Sequence, residues 1–553
     1  MTEGGDSKRK MHGRLRVVLA VIAFLVLVLV VPPLINVNRY KSRITQLISQ
    51  TLGRPVHLSS VQVRLLPWPG FEISNLSVAE DPAYGAEPVL YASQVIASIR
   101  LLALLRGRVE VGKISVDLAT LNLVRAGPGR WNLDPLFRTA AVQTGTAPGA
   151  RNVAPLPYLE ATDSRIDFKN GTEKLPFSLV NADLSFWQEN PGEWRIRLRG
   201  QPARTDVSIY QEETGVVRIE ASVRRAPALR LMPLHLDLDW REAQLGQLAR
   251  IVTGSDPGWR GDLTGELHLD GTADAAKISM RLRASGVHRA EFTPESPLDF
   301  DASCSLVYSY PQRSMHNLAC DSPLGDGHVH VTGEKLGEDI PPSFSVALDQ
   351  IPVAAGLDAI RTLRSGINPD LEARGTISGK IVYARQQNPQ TAAAPSPPHH
   401  SAQKKASRGL RIPSPAGPLT GRLTVSNLIL SGGGLTRPIQ SPKITLEPVS
   451  LEPASRGQSA ALIPSQALAG TFTIPAGSAV PLTLNLRLAL SGYRLGVRGQ
   501  ASFARAREMA GVAGIPETGL LASLAGDPIA VDLTAAGPWL PRDVFPLPSS
   551  SST

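Results

Sequence analysis

The sequence Pro481-Leu-Thr-Leu-Asn-Leu-Arg-Leu-Ala-Leu490 places a leucine at every second position. Successive side chains of a β-strand point to opposite faces of its sheet, so this segment has one apolar face and one largely polar face. Strands of this kind bury one side and leave the other side in water. The segment therefore predicts a half-buried β-strand.

The same alternation recurs through most of the chain. We predict a mainly β protein in which each such strand has one apolar face. The residues of the clearest apolar faces, which are the candidates to line a groove if these faces stay open, are Leu234, Leu236, Leu238, Ile278, Met280, Leu282, Leu482, Leu484, Leu486, Leu488 and Leu490. The alternative is that two such sheets pack face to face as a sandwich, in which case these residues form an ordinary core.

A loose repeat, Gly-x-Leu/Ile-x-Gly, occurs at residues 261–265, 375–379 and 417–421. The first two copies follow segments with helical spacing of apolar residues, at 245–252 and 353–363. Recurrence of a short helix and a glycine-edged strand predicts an extended, curled sheet built from repeated units. We expect the glycines to permit bulges or bends in the strands.

The N-terminal region carries a long apolar run. No charged residue occurs from 17 to 38, and this length matches the ~20 residues that span a bilayer. Five basic residues between 8 and 16 precede the run, which favours a cytoplasmic N-terminus. A cleaved signal peptide is the alternative, but the run ends in Val31-Pro-Pro-Leu-Ile-Asn36 without an Ala-x-Ala site. A short amphipathic helix over 40–52, closed by Gly53, should follow.

At 553 residues the chain exceeds the ~250–300 residues of a single core, so several regions are expected. Two segments are predicted to be unfolded linkers: one is rich in Ala, Gly, Thr and Pro, and the other is rich in Pro, with paired His and Lys and almost no apolar content. The predicted regions are a cytoplasmic tail (1–16), a transmembrane helix (17–36), an N-terminal β region (37–138), a linker (139–154), a central β-groove region (155–385), a disordered linker (386–418), a C-terminal β region (419–536) and a flexible tail (537–553).

The composition and motifs exclude several classes of function. The net charge is +9 and the pI is about 9.6, but the basic residues are dispersed, so we expect attraction to anionic lipid headgroups and no nucleic-acid partner. The sequence contains neither a Gly-x-Ser-x-Gly nor a phosphate-binding-loop motif, and we predict no enzyme and no cofactor. His328 and His330, near Asp326, are the best metal candidates, but two imidazoles alone do not make a zinc site. We therefore predict no metal site.

The two cysteines, Cys304 and Cys320, flank a predicted turn at Pro311-Gln-Arg313. Both are the same distance in sequence from Gln312, so a simple hairpin sets them opposite each other. Opposed Cβ atoms lie ~4.5–5.5 Å apart, close to the separation that a disulfide requires. In an oxidising compartment we expect a disulfide between them; two buried thiols are the alternative.

A series of short motifs follows the apolar run in a fixed order. These motifs are Asn38-Arg-Tyr40, Leu52-Gly-Arg-Pro-Val56, Leu66-Pro-Trp-Pro-Gly70, Leu76-Ser-Val-Ala-Glu-Asp-Pro82, Gly85, Ser98-Ile-Arg-Leu-Leu-Ala-Leu-Leu-Arg-Gly-Arg108, Leu121-Asn-Leu-Val-Arg125 and Gly129-Arg-Trp-Asn-Leu133. By their order and spacing, residues 38–133 resemble the AsmA family of bacterial envelope proteins. One departure is Ala119-Thr120, where relatives commonly carry Pro-Thr, and it affects a local turn.

The resemblance implies a single-pass inner-membrane anchor that carries a periplasmic β-groove, similar to that of bridge-type lipid transfer proteins. The expected function is to handle phospholipid between the inner and outer membranes and to support outer-membrane biogenesis. The expected partners are membrane lipids, and other envelope proteins are further candidates. The alternative function is an envelope tether or an assembly factor for outer-membrane proteins that carries no lipid.

Overall fold

A computed structural model provides the structure of the protein. It describes residues 41–64, 68–100, 103, 106, 110–126, 130–133, 157–171, 173–206, 213–226, 229–254, 256, 258–290, 298–334, 336–337, 343–363, 367–384, 419–450, 466–489, 492–512, 526 and 528–538. The described part is mainly β, as predicted, with a few short helices. The chain divides into two compact units, Met1–Arg225 and Ala226–Thr553.

The first unit begins with helix α1 (Lys41–Leu52), followed by an antiparallel sheet in which β7 pairs in parallel with β5. Its strands are β1 (Val56–His57), β2 (Ser60–Arg64), β3 (Gly70–Val78), β4 (Leu90–Ile99), β5 (Val111–Ala126), β6 (Arg130–Trp131), β7 (Tyr158–Asn170), β8 (Glu173–Asn190), β9 (Glu193–Arg204) and β10 (Thr214–Arg224).

The second unit is an antiparallel meander in which nearly every strand pairs with the strands before and after it in sequence. A 3₁₀ turn (Leu229–Leu231) precedes it. Its strands are β11 (Leu234–Gln244), β12 (Trp259–Gly271), β13 (Ala276–Arg289), β14 (Leu298–Ser309), β15 (Ser314–Leu324), β16 (Gly327–Glu334), β17 (Leu336–Gly337), β18 (Ser343–Pro352), β19 (Leu371–Ala384), β20 (Leu419–Gly432), β21 (Ile439–Ser450), β22 (Gln466–Ile474), β23 (Leu482–Ala489), β24 (Gly492–Ala501) and β25 (Ile529–Pro538).

Helix α2 (Leu245–Thr253) separates β11 from β12, and helix α3 (Val353–Leu363) separates β18 from β19. Both helices and α1 confirm the helical spacing read from the sequence. Gly254 ends α2 in the left-handed conformation, with φ of 83°. A further helix, α4 (Phe503–Val512), was not predicted, because its apolar residues do not form a clear stripe along one side.

The glycines that open the first two repeats lie opposite β-bulges. Gly261 faces a bulge on β13, and Gly375 faces one on β20 whose Asn427 is left-handed, with φ of 53°. A Cβ at Gly261 would lie 2.7 Å from the Ser285 carbonyl oxygen, and one at Gly375 would lie 2.7 Å from that of Ser426. Only glycine therefore allows the bulged strand to approach so closely, which confirms the predicted role.

The fully buried apolar residues form separate clusters instead of one central core. In the first unit, Val61, Ile73 and Val95 belong to a cluster that Ile44 and Ile48 of α1 cover. In the second unit, α2 covers one cluster through Leu245 and Leu248, and α4 covers another through Ala506 and Met509. A further cluster of this unit lies on β20 and β21. Helices α1, α2 and α4 thus each cover one apolar cluster.

Several predicted segments lie outside the described residues: the tail 1–16, the span 17–36, the linkers 139–154 and 386–418, and the tail beyond Pro538. No helix within the described ranges is long and apolar enough to cross a bilayer. The division at Arg225 falls inside the region 155–385 that the sequence suggested as one. The other region bounds stay predictions.

Candidate functional site

One row of apolar side chains crosses eight paired strands of the second unit. Residues directly opposite each other in neighbouring strands share one face of a sheet, so the strand register defines this row. We call it the apolar stripe; its members, from β11 to β19, are Leu238, Leu267, Met280, Cys304, Cys320, Val331, Val346 and Ile381.

Every member of the apolar stripe is half-buried. In a packed sandwich core, side chains at the centre of a strand should be fully buried. Full burial is reached at the helix-covered clusters, for example at Leu263 beside α2 and at Ala501 beside α4. Two residues next to the stripe on its own face, Leu306 and Tyr383, are buried as well. The stripe is therefore apolar surface that the described residues cover only partly.

Helix α3 shows that the sheet of this unit curves. It packs against β18 and β19 and also reaches β13 and β14, although β15 and β16 lie between these two pairs of strands. Val353, at its start, contacts the apolar cluster formed by Leu428, Ile444 and Leu446. The sheet therefore curves toward its apolar side, and α3 lies on the inside of that curve.

The eleven candidate groove residues divide into two groups. Those on β11 and β13 lie in or beside the apolar stripe, half-buried apart from Leu282, which is 40% exposed. On β23, Leu482 and Leu484 are buried in the cluster that α4 covers, and Leu486 and Leu488 pack against the cluster around Leu446. Leu490 lies outside the described residues. The described leucines of β23, whose alternation most clearly predicted a strand, therefore lie in packed clusters instead of the apolar stripe.

The opposite face of the same strands is polar. Glu266 of β12 and Arg281 of β13 are the sequence neighbours of the stripe residues Leu267 and Met280, so they point to the other face, where they lie opposite each other. Arg281 also donates two hydrogen bonds to Asp301, at 2.8 and 2.6 Å. Those bonds lower the pKa of the Asp301 carboxyl, although slight burial opposes them. Further cross-strand pairs, Arg422–Glu447 and Arg498–Asp532, keep this face hydrated.

The first unit repeats the arrangement on its own sheet. A row of directly paired apolar residues runs from β4 through the parallel β5–β7 pair to β10. Its first member is buried in the cluster under α1, and the others are half-buried. The members are Val95, Val116, Ala161, Leu184, Leu198 and Ile219.

Three of the sequence motifs that carry the AsmA resemblance meet in one buried network. Arg54, Glu80 and Asn132 come from three separate motifs, and their exposed fractions are 7%, 8% and 0%. The Arg54 guanidinium donates to the Glu80 carboxylate and, at 2.7 Å, to the Asn132 carbonyl oxygen. The Asn132 amide donates to the other Glu80 oxygen at 2.5 Å. These motif residues hold α1, β3 and the end of β5 together.

A second buried carboxylate lies on β7. Burial raises the pKa of Asp167, but hydrogen bonds from Ser178, Arg165 and Lys174 outweigh that effect and hold it below the usual value. The Ser178 hydroxyl donates at 2.5 Å and the Arg165 Nε at 2.8 Å. Asp167 therefore stays ionised and links β7 to β8.

The structure joins Cys304 and Cys320 by a disulfide, with their Cα atoms 4.0 Å apart. The turn differs from the simple hairpin expected. Next to the turn, Ser309 pairs with Ser314. If the two strands kept this alignment, Cys304 would lie opposite Ala319. A bulge on β15, with Asn317 at φ of 54°, shifts the register by one residue and aligns the cysteines. The disulfide forms part of the apolar stripe.

The histidines on the polar face form two clusters. The predicted pair, His328 and His330, lies beside Asp321 of β15, with the His330 Nδ1 2.7 Å from a carboxylate oxygen. The sequence had suggested Asp326 as the neighbour, because register cannot be read from spacing. A second cluster, which sequence reasoning missed, joins His235 and Asp237 of β11 to His268 of β12. The signal available for it was a repeated His-Leu-Asp tripeptide.

Comparisons with known proteins bear on the first unit. Neither the curated proteins nor the solved structures contain a significant match to the chain. The model of the AsmA family matches residues 11–192, which include all the motifs quoted above and the buried network of Arg54, Glu80 and Asn132. The N-terminal third of the chain is therefore similar to the AsmA family, as the sequence motifs indicated.

Proposed function

We propose that this protein is an inner-membrane-anchored envelope protein that handles phospholipid between the inner and outer membranes and thereby supports outer-membrane biogenesis. The observation that carries the proposal is the half-buried apolar stripe across eight paired strands. The similarity of residues 11–192 to the AsmA family favours an envelope-associated function and supports the same proposal.

The dimensions of the stripe suit acyl chains. Neighbouring strands lie ~4.8 Å apart, so eight strands provide a path of roughly 34 Å. This exceeds the length of one acyl chain, which is about half of the ~30 Å hydrocarbon core. Each methylene removed from water contributes ~0.8 kcal/mol, so an aliphatic row retains a lipid without any catalytic group.

The acyl chains and the headgroup of a lipid contact different parts of the sheet in this proposal. Acyl chains contact the apolar stripe on the inner side of the curve, and headgroups remain in water at its margin. The charged pairs on the other face, such as Arg281 with Asp301, face away from the stripe and keep that surface soluble. Transfer in this arrangement is passive, because lipid moves between equivalent apolar positions.

Photo-crosslinking at two neighbouring positions of β13 tests the proposal. A photoreactive amino acid at Met280, in the stripe, should form phospholipid adducts in cells, whereas the same residue at Ser279, on the exposed polar face, should not. Mass spectrometry of the purified full-length protein identifies the adduct. Equal labelling at both positions, or labelling only by proteins, would refute lipid handling and favour the tether or assembly-factor alternative.

A charge in the stripe gives a second measurement. Met280→Asp places an unpaired carboxylate where acyl chains pass, and burial of such a group costs several kcal/mol. We expect loss of co-purified phospholipid with a nearly unchanged thermal midpoint, because Met280 belongs to none of the buried clusters. A collapsed midpoint, with no lipid on the wild-type protein, would identify the stripe as a packed core.

The proposed topology has an independent test. A reporter enzyme that is active only outside the cytoplasm should function when fused after Gly200 and fail when fused before Arg14. The reason is the basic cluster that precedes the apolar run at 17–36. Recovery of a shortened, soluble chain from cells would contradict the anchor.

A further inference from the structure

Two adjacent strands of the second unit carry the same tripeptide in opposite directions. The sequence His235-Leu-Asp237 lies on β11, and His268-Leu-Asp270 lies on β12. The antiparallel register sets Asp237 opposite His268 and His235 opposite Asp270. Since residues two apart on a strand share a face, all four side chains project from the polar face in a quartet with approximate twofold symmetry.

The side chains of this His235–Asp237–His268–Asp270 quartet approach one another. The His235 Nε2 lies 3.2 Å from an oxygen of Asp237, and its Nδ1 lies 3.6 Å from an oxygen of Asp270. The His268 Nδ1 contacts the other oxygen of Asp237. The two imidazole centroids are 4.8 Å apart, edge to face. Three candidate ligand atoms, from His235, Asp237 and His268, all lie within 4.8 Å of one another.

We propose that the quartet binds a divalent transition-metal ion, with Zn²⁺ as the best fit. Zinc takes imidazole nitrogen and carboxylate oxygen at ~2.0–2.2 Å in tetrahedral geometry, which sets neighbouring ligand atoms roughly 3.4 Å apart. The present separations require only side-chain rotation to reach that value. Two carboxylates balance the double positive charge of the ion, and mixed nitrogen and oxygen ligands disfavour Mg²⁺ and Ca²⁺.

The surroundings of the quartet are compatible with an ion. On the neighbouring strand β13, Ser279 lies opposite His268 and offers a hydroxyl, while Lys277 lies opposite Asp270. Arg281, two residues from Ser279 on the same face, donates both of its hydrogen bonds at 2.8 and 2.6 Å to Asp301. The side chains of His235 and His268 are about half exposed, at 42% and 52%, so an ion reaches them from solvent. An ion there would link β11 to β12 at the start of the second unit.

The second histidine cluster provides a matched comparison. His328 and His330 follow each other on one strand, with parallel rings 5.8 Å apart, and both contact the single carboxylate of Asp321. Among the described residues, only the β11–β12 group brings three candidate ligand atoms within 4.8 Å. The proposal therefore predicts that two pairs of equally exposed histidines differ in metal binding.

The test uses full-length protein in detergent, purified without a polyhistidine tag and freed of metal by a chelator. Zn²⁺ is titrated in competition with a chromogenic chelator. We expect the wild-type protein to withdraw one ion per chain, the His235→Asn/His268→Asn variant to lose that ion, and the His328→Asn/His330→Asn variant to retain it. X-ray absorption of the loaded protein should show two imidazole nitrogens at ~2.0–2.1 Å.

Metal-dependent stability is the second readout. Zn²⁺ should raise the thermal midpoint of the wild-type protein and of the His328→Asn/His330→Asn variant, but not that of the quartet variant, because an ion that binds only the folded state stabilises it. Unchanged circular dichroism shows that all three proteins are folded. Zinc uptake by the quartet variant equal to that of the wild type, or equal loss in both variants, overturns the proposal. The lipid proposal is unaffected by either result, since the quartet lies on the opposite face of the sheet.

Discussion

Replacement of Glu80 by glutamine should destabilise the first unit far more than the same change at a surface ion pair. The Glu80 side chain is 1% exposed and its partner Arg54 is 6% exposed. The carboxylate also accepts hydrogen bonds from the Asn132 amide and, at 2.9 Å, from the backbone N–H of Asp81. Glutamine keeps the size of the side chain but leaves the buried guanidinium without a compensating charge.

The expected magnitude follows from that burial. Removal of one partner of a buried ion pair costs ~3–5 kcal/mol, because the remaining charge stays desolvated. For a unit of this size, each kcal/mol lowers the melting temperature by ~2–4 °C, so the expected shift is roughly 6–20 °C. The matched control is Glu220→Gln, which breaks the Arg197–Glu220 pair, whose side chains are 62% and 64% exposed. An exposed pair contributes only ~0–1 kcal/mol.

The assay is urea and thermal unfolding of the two full-length variants, followed by circular dichroism. Both variants exchange glutamate for glutamine within the same unit, so the difference between them measures the effect of burial. Equal shifts in the two variants would refute the reasoning. In that case Arg54, Glu80 and Asn132 would contribute no more to the stability of this unit than an ordinary surface contact.

Three further predictions concern other parts of the fold. Replacement of both Cys304 and Cys320 by serine should cost ~3 kcal/mol in urea unfolding, since the disulfide closes a loop of about 15 residues; recovery of both cysteines as free thiols from unreduced wild-type protein would contradict it. The pKa of Asp167 is lowered in the folded state, so the stability that its ionised form contributes is complete above the ordinary pKa of ~3.9 and is lost as pH falls through the folded pKa. Asp167→Asn should therefore reduce the dependence of unfolding free energy on pH in this acid range. An unchanged pH dependence would contradict this role of Asp167. Gly375→Ala should destabilise the protein by more than ~1 kcal/mol, because φ is 121° and the added Cβ would clash with the backbone of β20. Gly265→Ala should be neutral or stabilising, because the nearest atom to its added Cβ lies at 3.8 Å. Destabilisation of the same size in both variants would contradict this reasoning.

Helix α4 and the apolar cluster that it covers show what local sequence patterns cannot predict. Its residues Phe503–Val512 have weak amphipathic character, and it forms a helix because Ala506 and Met509 pack against buried residues of β22, β23 and β24. The leucines of β23 illustrate the same point. Their alternation predicted a strand correctly, but two of them are buried by this helix, which the pattern within the strand could not reveal.

The contacts of the cysteines, of the buried network and of the quartet depend still more on how the strands align. The cysteines were predicted to pair, yet the pairing requires a bulge at Asn317 that shifts β15 by one residue. The network of Arg54, Glu80 and Asn132 joins positions up to 78 residues apart. The quartet on β11 and β12 depends on which of several possible alignments the two strands adopt. No local spacing contains this information.

The sequence by itself determined that the protein is mainly β, that its strands have one apolar and one polar face, and where α1, α2 and α3 lie. These features follow from side-chain period and from glycine and proline positions, which act over a few residues. Only the tertiary structure decided which faces are covered by helices, which apolar residues join into a stripe, and which polar groups meet. Those outcomes depend on strand register and curvature, and both are set by contacts between segments far apart in the chain.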